Sequence, residues 1–551
     1  MRRIATDQRA LTQLLVQIVA ALLILAPTVY GIRTWLDPRE AWIHPELFGT
    51  SQYVWMNGDE SVWMRLRKAA DWKAFDPNVN RVRPVSDLVD TVDTVIRPYQ
   101  TRILGPHPSI TPSAVLTAVI APLVMFFYLR RLGLGLVPAS ALTGLFISSI
   151  GLLSVLVVYV RPAKKVTVVT FAVSLFLAER HRRTGDRGSF WALVGVMFAS
   201  LFADELDLAK YPIIGLMYGR SLVWNAPRWK ALTFLAIPLA YLAAVAWALP
   251  AFYLAFSVHG QWDALSDGQK LAVFRFLVTP YYWVVGITQF ARALLTTAGV
   301  GVHTPLHEGI ALAAFSAATA LPLLRRMGTG QQRYGLFASA ASLVAMVYYA
   351  TLLDFYPDVA QLTDRAYLSS FTFYYHSAVP IMVIVWAAHV WLTVSDGLTV
   401  QVERRRVAET LAVAGCVLAM IGSFATWHQV NLLAQTIHLY PYTSESLFAV
   451  LREHQRELRV SRPERPVALT FIKEREVLDA EYDATLRQLY GDRWQDTVWY
   501  RQLETFKKTP IMLDQNVEHL VHAYFPRDSY IVQIHGSPVL GEDPEGGPAA
   551  P

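Results

Sequence analysis

Residues 11–32 read LTQLLVQIVAALLILAPTVYGI, a run with no charged side chain. A helix needs about 20 predominantly apolar residues to cross the hydrocarbon core of a bilayer. The run follows Met1-Arg2-Arg3. A secretory signal has a shorter core and a small-residue cleavage site, so this stretch is expected to be an uncleaved first span.

Runs of the same kind recur along the chain. Further candidate spans lie near 113–130, 137–160, 164–179, 189–203, 210–223, 231–256, 308–324, 335–353, 371–394 and 407–427. Apolar residues make up 54% of the sequence and charged residues 17%, where an average soluble domain is about a quarter charged. The formal charge of +6 does not point to nucleic acid, because the Lys and Arg residues sit mainly between the runs. The single cysteine, Cys416, lies inside an apolar run, where packing explains it better than chemistry. The expected class is an all-α polytopic membrane protein of about 11 transmembrane helices.

Short loops rich in Lys and Arg face the cytoplasm. Arg130-Arg131, Arg180 to Arg183, Arg228 and Lys230, Arg325-Arg326, Arg333 and Arg404 to Arg406 all fall on one side under this assignment. Residues 271–300 break the pattern if they span, because Arg325-Arg326 and Arg404 to Arg406 would then lie outside. That stretch also carries Arg275, Arg292, Pro280 and the aromatics at 281–283, which favour the interface. It is read as interfacial or re-entrant within an outer loop. The N-terminus is then cytoplasmic and the C-terminus extracytoplasmic.

Two large outer pieces follow: the loop 33–112, and everything after the transmembrane domain 1–430. In the latter, ValAlaLeuThrPheIle at 467–472 and TyrIleValGlnIle at 530–534 read as strands, with a helical pattern over 475–490. A small α/β domain is expected over 431–540. The acidic, Gly- and Pro-rich tail 541–551 reads as disordered.

Four outer pieces carry candidate chemistry. The loop holds Asn57-Gly58-Asp59-Glu60 and later Arg83-Pro84. Asp204-Glu205-Leu206-Asp207, followed by Lys210, stands between two apolar runs with almost no linker. Ionisable groups at that depth are costly and face a cavity or a partner; the alternative is an Asp–Lys ion pair holding two helices. Asp364-Arg365-Ala366-Tyr367 opens a late span. Arg161-Pro162-Ala163-Lys164-Lys165 is a short outer loop that violates the charge rule, which suggests that an anion is held there, though a local exception explains it equally well. Carboxylates can deprotonate an acceptor hydroxyl, and cations can neutralise a leaving phosphate. Together they suit group transfer from a lipid-linked donor. Asp59, Glu60 and Asp204 could share a divalent cation, which the spacing does not require.

In the order of these pieces the chain resembles the polytopic glycosyltransferases of GT-C fold, which use polyprenyl-phosphate sugars. The nearest pattern is the membrane core of the tetratricopeptide-bearing protein O-mannosyltransferases. Asp59-Glu60 is similar to the acidic pair of their first outer loop, Val82-Arg83-Pro84-Val85 to their "yRPl" segment, and Arg130-Arg131-Leu132-Gly133 to their "RR-L-G" exit. Asp204-Glu205 matches an acidic pair after the fifth span, and Asp364 to Ser370 resembles "eRylYlps". The resemblance covers about residues 10–430. It departs from the pattern where Thr111-Pro112-Ser113 stands in place of a His, and where no tetratricopeptide repeats follow the core. It implies an inverting glycosyltransferase of a bacterial inner membrane, with a polyprenyl-phosphate sugar as donor and a glycan, lipid or protein as acceptor. The implied catalytic residues are Asp59, Glu60, Asp204 and Glu205. Arg365, Arg83, Arg161, Lys210 and Tyr367 would hold the donor phosphate. The competing reading is a non-catalytic scaffold or a transporter. A transporter places its ionisable groups at the midplane of repeated halves, whereas here they cluster at one face.

Overall fold

The computed structural model describes residues 2–37, 110–157, 162–244, 280–300, 304–324, 336–345, 378–397, 402–439, 444–460, 464–472, 491–496 and 525–535, with scattered positions between them such as Val85, Asp93 and Gly105. The chain is mostly helical with few strands. It divides into two units, one of residues 1–37, 70–93 and 109–431, the other of 38–69, 94–108 and 432–551.

The first unit contains α1 (Arg2–Leu36), α2 (Pro112–Leu132), α3 (Leu136–Ser148), α4 (Ile150–Val157), α5 (Pro162–Thr184) and α6 (Arg187–Leu201). A 3-10 turn at Glu205–Ala209 leads into α7 (Lys210–Gly219). Then come α8 (Arg228–Ala243), α9 (Pro280–Thr297), α10 (Pro305–Leu324), α11 (Leu336–Ala345), α12 (Val379–Gly397) and α13 (Val402–Leu439), the last of which belongs to this unit as far as residue 431. Among the described residues, Leu11–Leu36, Pro112–Leu132 and Arg406–Trp427 are long and apolar enough to cross a membrane. The α3–α4 pair becomes a fourth such segment when counted as one span bent by 46°.

That bend falls inside the run 137–160, which reads as continuous in sequence. Its cause is the Ser148-Ser149 pair. Ser149 has an extended backbone (ψ 136°) and its hydroxyl donates to the Phe146 carbonyl at 2.7 Å. The same oxygen accepts from the Leu152 amide at 3.3 Å, so Ser149 caps α4 as α3 ends.

Small residues set the closest helix contacts. A Cβ on Gly144 of α3 would stand 2.2 Å from the Leu23 carbonyl oxygen of α1, so the two backbones meet there. Gly299, after α9, has φ +82° and lies against α13, where Thr426 Oγ1 donates to its carbonyl at 3.3 Å. Pro280 opens α9, the helix within 271–300, and places the aromatics in its first turn. Arg292 of α9 is buried and donates to Glu308 of α10 at 2.8 Å, tying the two helices into a hairpin.

The second unit contains α14 (Ser444–Glu453), α15 (Gln455–Val460), β1 (Val467–Ile472) and β2 (Tyr530–His535). The strands pair in parallel, with Val467 opposite Tyr530 and Ile472 opposite His535. Leu469 and Phe471 alternate inward on β1, and α14 packs on that strand with Leu447, Phe448 and Leu451 buried. The described positions between 480 and 487 are helical.

Candidate functional site

The first unit buries a group of ionisable side chains where α2, α5 and α7 begin. α2 opens with Thr111 as N-cap, its backbone extended (φ −129°, ψ 155°), and with Pro112 in the first turn. Thr111 Oγ1 accepts from the Ala114 amide at 3.2 Å. Asp93, in the segment between α1 and α2, accepts from the Ser113 amide at 2.8 Å and from the Ser113 hydroxyl. With the Ser113 proton spent on Asp93, the 3.1 Å contact between Thr111 and Ser113 has Thr111 donating. Lys165 Nζ donates to Thr111 Oγ1 at 3.4 Å. An ammonium is thereby linked through two hydroxyls to a carboxylate, and each bond polarises the next.

One residue earlier on α5, Lys164 pairs with Asp204 in the connection after α6. Lys210, which opens α7, pairs with Asp207 one turn before it and donates to Thr170 Oγ1 of α5 at 2.7 Å. Its ammonium also stands 5.8 Å from the Phe171 ring. The Val85 amide donates to the Phe202 carbonyl at 3.2 Å, which brings a second point of the segment between α1 and α2 to this connection. Asp204 is wholly buried, and Asp207 and Lys165 are each 1% exposed. Burial pushes the Asp207 carboxyl up from the usual carboxylate range, the Lys210 ammonium pulls it back, and neighbouring Asp204 pushes it up again.

Three carboxylates (Asp93, Asp204, Asp207) and three ammonium groups (Lys164, Lys165, Lys210) thus share one buried region. Of the four pieces singled out in the sequence, two meet here: the basic turn, through Lys164 and Lys165, and the acidic connection, through Asp204 and Asp207. Within the basic turn, Lys164 has Asp204 of the chain itself as its partner. The acids and the lysine of the 201–212 segment pair as Asp207 with Lys210, three residues apart, while Asp204 ties the connection after α6 to α5 through Lys164.

The segment between α1 and α2 joins through Asp93 and Val85. Asp59, Glu60, Arg83, Arg161, Arg365 and Tyr367 lie outside the described residues. Glu205 belongs to the 3-10 turn, and its side chain is outside the described set. Asp93, Thr111 and Ser113 were not among the expected site residues. Asp87, Asp90 and Asp93 recur every third position in DLVDTVD, a helical spacing that marks one face of this segment. Among the described residues, no three His, Cys, Asp or Glu side chains gather as a metal site.

The same unit holds a cavity of about 530 Å³ among α3, α9, α10, α12 and α13. Leu142, Leu295, Phe315, Trp386 and Cys416 are in its wall, where Glu409 is the one charged side chain.

No family model, no curated protein and no solved structure matches this chain.

Proposed function

We propose that the chain is a membrane glycosyltransferase of GT-C type, with about eleven spans and a small extracytoplasmic α/β domain over 431–540. It would transfer a sugar from a polyprenyl-phosphate donor to an extracytoplasmic acceptor with inversion. The N-terminus is cytoplasmic in this reading, and the 271–300 segment lies along the outer interface. The carrying observation is the buried gathering of three lysines and three aspartates at the starts of α2, α5 and α7. Structures seldom desolvate so many charges without use.

In this reading the acceptor hydroxyl attacks the anomeric carbon, its proton passes to a carboxylate, and polyprenyl phosphate leaves with the bonding electrons. Asp204 and Asp207 are each held by a lysine, so they position the cluster. The proton then falls to Asp59, Glu60 or Glu205. Arg365, Arg83 and Arg161 would face the phosphate, and the apolar cavity suits a prenyl tail.

Purified protein given a panel of polyprenyl-phosphate sugars should release polyprenyl phosphate, and Asp59→Asn should slow that release by about 10²–10⁴-fold in a folded protein. One observation favours a second reading, a non-catalytic scaffold: Asp204 and Asp207 each already have a lysine partner. The scaffold reading holds if no donor turns over and Asp59→Asn leaves every measured property unchanged.

A further inference from the structure

At the opposite end of α5 the charges are arranged differently. Glu179 is buried, and three contacts of 2.5 to 2.7 Å from Arg182 and Arg183 saturate it. Asp186 caps α6, accepting from the Gly188 amide, the Ser189 amide and the Ser189 hydroxyl. The acids of this corner are therefore engaged.

Beside them α6 and α8 begin next to one another, joined by an aromatic group. Trp191 and Trp229 stack with centroids 5.8 Å apart and an interplanar angle of 22°. Phe190 meets each of them edge-on at 5.6 Å. The Lys230 ammonium stands 5.4 Å from the Phe190 ring and 5.6 Å from the Trp229 ring. Lys230 is only 8% exposed, yet among the described residues no carboxylate pairs with it. With no described acid to balance it, that ammonium favours a negatively charged neighbour at this surface.

The start of α8 adds to that demand. Its cap position is Pro227, which offers no side-chain hydrogen bond, and its first turn holds no acid. Arg228 and Lys230 occupy that turn, where the helix dipole disfavours cations and favours an anion. Arg187 and Arg228 are exposed on either side. Trp191 and Trp229 keep 52% and 41% of their surface open beside these cations, as tryptophans do at a membrane–water interface.

We infer that this corner binds the phosphodiester headgroup of an anionic phospholipid. Lys230, Arg228 and the opening turn of α8 take the phosphate, and the open faces of Trp191 and Trp229 lie against the acyl chains. Rings and cations side by side fit a lipid better than a free phosphate, which would gain nothing from the indoles. The charge rule places this end at the cytoplasmic leaflet, whose anionic lipids attract basic residues.

The test uses the full chain, purified in a mild detergent and stripped of lipid. It is titrated separately with dioleoyl phosphatidylglycerol, dioleoyl phosphatidylcholine and inorganic phosphate, and bound molecules are counted by native mass spectrometry. Phosphatidylglycerol should bind about tenfold more tightly than phosphatidylcholine, and Lys230→Met and Arg228→Gln should each weaken it about fivefold. Lys230→Arg should keep it. Equal binding of the two lipids overturns the inference, as does unchanged phosphatidylglycerol binding in both charge-removing variants. Displacement of the lipid by millimolar inorganic phosphate overturns the lipid assignment. If Lys230→Met does not fold, the exposed pair Arg187→Gln and Arg228→Gln decides by the same criterion.

Discussion

Lys164→Met tests whether the Lys164–Asp204 pair holds α5 to the connection after α6. The side chains are 6% and 0% exposed, so the surface-pair figure of about 0–1 kcal/mol does not apply. Removing the ammonium leaves the Asp204 carboxylate buried and short of its partner, which costs about 3–5 kcal/mol. That is a fall of roughly two to three and a half decades in the folding constant. Replacing both residues, as Lys164→Met with Asp204→Leu, removes the stranded charge and should recover most of the loss, because apolar pairs of similar volume substitute well for buried ion pairs. The assay is reversible unfolding in mixed micelles, with the midpoint compared among wild type, both single variants and the double variant. Arg493→Ala is the control, since the Arg493–Asp496 pair is 85% and 66% exposed and should change stability by less than about 1 kcal/mol. A Lys164→Met midpoint equal to wild type would refute the reasoning. So would a double variant less stable than both singles.

Asp93→Ala should cost about 1.5–3 kcal/mol, since it removes a charged acceptor from the Ser113 amide and hydroxyl, and faster protease cleavage within 70–93 would accompany the lower midpoint. Gly299→Ala should lower stability by more than about 1–3 kcal/mol, because a positive φ combines with a Cβ 2.4 Å from the Ser423 amide nitrogen. Gly133→Ala, with positive φ but nothing within 4 Å, should cost about 1 kcal/mol in the same unfolding assay. The Ser189 hydroxyl, followed by the Gly188 and Ser189 amides, holds the Asp186 carboxyl below the usual range. Its stabilisation is present above the unfolded value and is lost as pH falls through the lower folded one. The midpoint gap between wild type and Asp186→Ala should therefore close below about pH 4.

What the sequence makes legible follows the range of the forces involved. The run at 11–32 needs only local composition, and α1 follows it. The strands at 467–472 and 530–534 are equally local, and both are present. Their parallel pairing joins segments some sixty positions apart, which no short window contains. The bend at Ser149 is hidden because hydropathy ignores a hydroxyl that turns back on its own backbone. The basic turn at 161–165 is legible as an anomaly, since the charge rule identifies a misplaced cation. The rule cannot name the partner, because Asp204 lies forty residues away. Asp93 leaves only the every-third-residue pattern, and its target, the start of α2, is a tertiary fact.

The two ends of α5 show why buried charge is read here through its partners. At one end, Lys164 and Lys210 each close on an aspartate and Lys165 reaches Asp93 through two hydroxyls. Such a cluster is complete without a ligand, so an incoming phosphate must compete with carboxylates already in place. Catalysis there would need cations from outside the cluster, which is why Arg365, Arg83 and Arg161 carry that role in the proposed reaction. At the other end Glu179 and Asp186 are fully engaged and Lys230 has aromatic rings for neighbours in place of a carboxylate. Aromatic faces ease an ammonium by about 0.5–2 kcal/mol and leave its charge unneutralised. Neutralising that charge is what an external anion would supply, and at this end such an anion meets, among the described residues, no carboxylate that it must displace.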